Sequence, residues 1–172
     1  PNPLSPGPIL SMASAFWRSC TLHAGVRLGV FTALADGTGG PQSPKGLAPQ
    51  LGCDERALGM LLGALAALGL LVKTGEEFSL TEASAAFLVK DSPRYQGHIV
   101  LHQSHLVDSF GRLSESIKSG GPNRSRTAFD DAGREAFLMG MFNLAMCIAP
   151  GLAGNLDALL TGAGSPGMAG RR

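Results

Sequence analysis

Charge is what this sequence has least of. Only 16% of its 172 residues are Asp, Glu, Lys or Arg, against roughly 25% in an average soluble chain. The 14 Lys and Arg nearly cancel the 13 Asp and Glu, leaving a formal net charge of +1. No broad basic field is present to recruit nucleic acid or an anionic membrane surface. With 44% apolar residues and little polar cover, part of the surface is expected to lie against another chain or domain. Cysteine is sparse as well: Cys20, Cys53 and Cys147 are odd in number and far apart. That spacing argues against a disulfide framework and a local zinc knuckle, and fits a reducing cytoplasm. The start, "PNPLSPGPIL", lacks a Met and a basic leader. No apolar run approaches the ~20 residues that span a bilayer, so neither secretion nor membrane insertion is predicted. The missing Met leads us to expect the ends of a fragment, long enough for one domain with a core but not for two complete enzyme domains.

What is present is mostly helix. "ILSMASAFWRSCTLHAGVRLGVFTAL" places Ile9, Met12, Phe16, Cys20 and His23 on one stripe and Leu10, Trp17, Ala24 and Leu28 on another. Arg18 is the only formal charge between Pro1 and Val26, so this helix must bury more than one face, as an arm packed on a second protomer would. After the loop "ADGTGGPQSPKG", a short helix around Leu47 to Leu51 ends at Gly52. A second helix opens on Asp54 and Glu55, where carboxylates suit the helix dipole, and closes at Gly69. "LLVKT" and "FSL" read as two strands about a Gly75 turn, and Thr81 can cap the helix that follows. Helix, turn, helix and a two-stranded wing form a winged-helix pattern. Beyond it, one long helix is predicted between Pro93 and Gly120, then a looped "PNRSRTAFDD". An apolar helix, "REAFLMGMFNLAMCIAP", is expected to stop at Pro150, with "GLAGNLDALL" as a last helical segment.

A winged helix invites a DNA-binding reading, but its second helix offers Asp54, Glu55 and a single Arg56, and carboxylates at that end would repel phosphate. His98, His102 and His105 fall at i, i+4 and i+7 on one helix face. A zinc site needs three or four converging ligands, and a straight helix brings together only adjacent pairs, so a half-buried polar stripe facing a cleft is the expectation and no metal site is assigned. Met139, Met141, Phe142 and Met146 give the later helix soft side chains that suit a core or an adaptable pocket. Asn143 stands among them, and a buried amide needs partners that a ligand can supply. No Ser/His/Asp order, paired carboxylates or Cys/His nucleophile emerges, so no catalytic residue is assigned.

Taken in order, "HAGVRLGVFTAL", "GLAPQLGCDERALGMLLGALAALGLL", "FSLTEASAAFLV", "HLVDSFGRLSESIKSGGP" and "FLMGMFNLAMCIAP" resemble a known family. It is the N-terminal dimerisation domain of class I S-adenosylmethionine-dependent O-methyltransferases acting on small molecules, the caffeate and acetylserotonin type and their bacterial relatives. The resemblance covers roughly residues 10 to 160. Leu113, Glu115, Gly120 or Gly121 and Pro122 match the family's pattern, while Phe110 stands where Trp is usual. It implies a mainly α fold: a winged-helix-like dimerisation domain with a small two-stranded wing over 9–90, a helical region walling the acceptor pocket over 93–160, and a linker or truncated end over 161–172. It further implies a homodimer with Phe16 and Trp17 at the contact and a small-molecule acceptor, with no nucleic-acid or membrane partner. His102, His105, Phe110, Met139, Phe142, Asn143 and Met146 would wall the acceptor pocket or be core. The family's Rossmann-like half, which binds S-adenosylmethionine and in many members carries a His base to deprotonate a hydroxyl, is expected beyond residue 172. A phenol of pKa near ~10 needs such a base. The chain alone would then bind no cofactor and be catalytically silent. A ligand-responsive DNA-binding regulator and a stand-alone dimeric small-molecule binder are the alternatives.

Gly162, Gly164 and Gly167 give the form G-x-G-x-x-G, yet only five residues follow, no acidic ribose ligand comes ~20 residues later, and Thr161 stands where the methyltransferase loop carries Asp or Glu. These glycines are therefore read as linker.

Overall fold

The computed structural model describes residues 4–37, 40–123 and 131–160. Helix α1 (Gly7–Arg27) opens with a proline in its first turn, where the missing N–H costs nothing, and gives way at Gly29, whose φ of 74° is left-handed, to α2 (Val30–Asp36). Ser43 caps α3 (Pro44–Leu51) by accepting the Gly46 N–H, and Asp54 caps α4 (Glu55–Ala67) by accepting the Ala57 N–H at 2.8 Å. Strands β1 (Leu71–Thr74) and β2 (Glu77–Leu80) pair antiparallel, Leu71 opposite Leu80 and Thr74 opposite Glu77. Gln42 and Phe78 exchange both backbone hydrogen bonds at 2.9 Å, which ties the loop before α3 onto the wing. Thr81 and Ser84 form a reciprocal capping box at the start of α5 (Glu82–Leu88). Helices α6 (Gly97–Gly111), α7 (Leu113–Ser119) and α8 (Asp131–Leu160) follow.

The core is where the end of α1 meets α2, α3, α4, the wing and α5. Val30, Phe31, Leu47, Leu62 and Leu65 are essentially sealed from solvent there, each contributing about 1.5–3 kcal/mol of apolar transfer. Gly25 lets α1 and α4 approach closely, since a Cβ there would stand 3.0 Å from Leu65 Cδ1 and 3.2 Å from the Phe31 ring.

The winged-helix pattern, the wing turn at Gly75 (φ 61°) and the caps at Asp54 and Thr81 agree with the sequence reading. Several helix boundaries do not: α1 and α2 part at Gly29 within the stretch read as one helix, α3 begins at Pro44 inside the expected loop, and two more lie further on. The single helix expected from Pro93 to Gly120 starts at Gly97 and is interrupted at Arg112 (φ −104°, ψ 21°), so that α6 and α7 are separate. Gly111, immediately before the break, offers no side chain to hold the helical turn. Conversely, Pro150 does not end a helix: α8 runs through it as one 30-residue element. Proline's fixed φ is compatible with the helix, and the bond it forfeits to the carbonyl four residues back costs about 3 kcal/mol, set against helix-favouring Ala, Leu and Met around it. Most of the expected loop after Pro122, and the glycines from Gly162 onward, lie outside the described residues.

Candidate functional site

The N-terminal half of α1 is apolar and uncovered. Met12 is 79% and Trp17 65% exposed, beside Ile9, Leu10 and Phe16. Phe16 and Trp17 meet edge to face with ring centroids 5.8 Å apart. Only the last two turns bury residues, at His23, Gly25 and Val26. One end of this helix is thus anchored in the core, and the other presents a large apolar surface of the kind that marks an interaction site.

A cleft of about 660 Å³ opens between α1 and α6, with Phe16, Cys20 and His23 on one side and Leu106, Val107 and Phe110 on the other. The fold therefore brings Phe16 and Phe110 to one place, although 94 residues separate them in sequence. Burial, followed by the nearby positive charge of Arg27, pushes the His23 pKa below its ordinary value. The Arg27 guanidinium in turn donates to Ser104 Oγ at 2.7 Å, fastening α1 to α6.

Helix α8 lies along α6 through a row of small residues. Gly133, Ala136 and Gly140 are buried, and a Cβ on Gly140 would stand 3.1 Å from the Ile99 Cα. Asn143 continues that row one turn on, and its Oδ1 is buried without a hydrogen-bond partner among the described residues, an arrangement that costs about 1–3 kcal/mol when nothing answers it. Met139, Phe142 and Met146 flank it with exposed side chains. The His102 ring packs on Phe137 with centroids 5.1 Å apart, and His98 packs edge to face on Tyr95 at 5.2 Å. His105 is half-buried on the same helix. The three imidazoles thus have separate surroundings, and among the described residues no group of three or more His, Cys, Asp or Glu is placed to hold a metal ion. All three cysteines are free. No helix among the described residues is long and apolar enough to cross a membrane. At the start of α4, Asp54 and Glu55 are exposed, so the end that would approach a phosphate backbone carries negative charge.

Three features escaped sequence reasoning: the buried His23, the Arg27–Ser104 bond and the small-residue row of α8. Two of them left a signal: His23 lies on an apolar stripe of α1, and Gly133, Ala136 and Gly140 fall at helical spacing.

A winged-helix-like, mainly α module whose leading helix offers an uncovered apolar face belongs to the class of dimerisation domains. Residues 10–90 match the O-methyltransferase dimerisation domain model and belong to that family. The 3-hydroxy-5-methyl-1-naphthoate 3-O-methyltransferase of Streptomyces sahachiroi is 30% identical over 164 residues, covering 91% of this chain and 47% of that protein. A protein of a Serratia strain described as an S-adenosyl-L-methionine-dependent methyl transferase is 31% identical over 117 residues, covering 67% of this chain and 33% of its own length. The solved structure of an O-methyltransferase family protein from Burkholderia thailandensis superposes with a TM-score of 0.71 at 32% identity, over 84% of this chain and 43% of that one. The chain spans about half or less of the length of these relatives.

Proposed function

We propose that this chain supplies the dimer contact and one wall of the acceptor pocket in an S-adenosylmethionine-dependent O-methyltransferase that methylates a hydroxyl of a small aromatic molecule. The observation that carries the reading is the asymmetry of α1: its last turns are locked in the core while Ile9 to Trp17 stand exposed and apolar. A second copy of the chain covers that surface, with Phe16 and Trp17 in the contact. His102, His105, Phe110, Met139, Phe142, Asn143 and Met146, on α6 and α8, face the acceptor, with Phe110 where α6 meets Phe16 of the contact. The soft methionines adapt to a flat ring, and Asn143 is a polar point in that wall, its carbonyl without a partner among the described residues. An aromatic hydroxy acid as acceptor is in keeping with the naphthoate named for the Streptomyces sahachiroi relative. On this reading S-adenosylmethionine is held outside the described residues, which alone are catalytically silent, and the protein works in a reducing cytoplasm.

Sedimentation velocity on the native chain and on Trp17→Asp tests the contact. A dimer that the substitution converts to a folded monomer supports the reading, and a native monomer at micromolar concentration contradicts it. Calorimetry with S-adenosylmethionine tests the remainder: no heat of binding is expected, and tight binding would overturn the assignment of the cofactor site elsewhere.

A further inference from the structure

A separate cleft, of about 360 Å³, opens where the α1–α2 junction meets the segment after α5 and the first turns of α6 and α8. That volume lies toward the lower end of the roughly 300–1,000 Å³ typical of small-ligand sites. Its floor comes from the core: Val26, Phe31 and Leu88 are all buried. Its rim is polar and carries Arg27, Lys90, Tyr95 and His98, with Glu135 as the one carboxylate.

Part of the rim is held in place. The Lys90 backbone N–H donates to Thr32 Oγ1 at 3.1 Å, tying the end of α5 to α2. Arg27 is oriented by Ser104, and Tyr95 by the edge of His98. The Tyr95 ring also lies directly over Gly97, in space that any larger residue would claim. Burial raises the Tyr95 pKa, which keeps its hydroxyl a neutral donor through the physiological range. Among the described residues neither Arg27 nor Lys90 makes an ion pair.

We infer that this cleft binds a small, flat organic monocarboxylate, its ring on the Phe31 and Leu88 floor and its carboxylate between Lys90, Arg27 and the Tyr95 hydroxyl. Two cations against one carboxylate suit a single negative charge better than a dianion such as phosphate, and the apolar floor would be wasted on a bare inorganic ion. The site is distinct from the dimer contact and the proposed acceptor wall, so its failure would leave both standing.

Benzoate and its neutral near-isostere benzamide are the probes, titrated into the full chain at low salt and followed by amide chemical shifts. Saturating shifts at Lys90, Tyr95 and His98 are expected for benzoate. Binding should weaken about fivefold or more for benzamide and for Lys90→Met, by loss of a charge-assisted contact. Lys118→Met on α7, a control for net charge, should leave the affinity unchanged. Equal affinity for the two probes, indifference to Lys90→Met, no saturation, or shifts confined to the Phe16 and Phe110 cleft would each overturn the inference.

Discussion

His23 shows how much a single side chain can settle. It sits at the point where α1 enters the core, next to Arg27, and both surroundings disfavour its protonated form. As pH falls, the unfolded chain therefore takes up a proton at the ordinary value near 6.5 while the folded chain resists. The native state is fully stable above that value and loses stability as pH drops through it toward the lowered folded pKa. Urea midpoints measured from about pH 7.5 down to 5.5 should fall for the native chain, and His23→Gln should flatten the slope across that window. An unchanged slope would place the titration elsewhere. Periodicity put His23 on an apolar stripe with Phe16 and Cys20, but the depth of its burial depends on α6 and on the close crossing at Gly25, and a one-dimensional pattern carries neither.

At the scale of elements, the boundaries that were legible are those with their own local chemistry. Asp54 and Thr81 satisfy the first free N–H groups of α4 and α5, and Gly52, Gly69 and Gly75 take left-handed φ values that stop a helix or turn a hairpin. The division of α6 from α7 and the passage of α8 through Pro150 were not legible. Gly111 and Pro150 only make a break permissible, and which way each resolves depends on packing along the whole helix. Packing also explains Gly140, whose missing side chain lets α8 rest on the Ile99 backbone. A branched residue there meets main chain that cannot rotate away, so Gly140→Val should cost about 1–3 kcal/mol and loosen α8 from α6. Faster proteolytic cleavage within α8, with the winged-helix core intact by circular dichroism, would register that effect. Unaltered cleavage would mean that the two helices are not held by this contact.

For the molecule as a whole, scarcity of charge implied exposed apolar surface, and the N-terminal half of α1 supplies it. Family membership was legible because several degenerate motifs occur in a fixed order, which the match over residues 10–90 bears out. The proposed acceptor wall was legible only as a roster of residues. The sequence could not tell that Phe110 joins Phe16 at the α1–α6 cleft while the Asn143 carbonyl oxygen is buried without a partner among the described residues. The chain's one tryptophan sits on the face whose role matters most. Acrylamide quenching of Trp17 fluorescence at micromolar concentration therefore tests the dimer contact directly. If a second copy covers α1, quenching should be several-fold weaker than in the urea-unfolded chain, and should rise as dilution separates the protomers. Quenching as efficient in the native chain as in the unfolded one, at every concentration, would contradict the account.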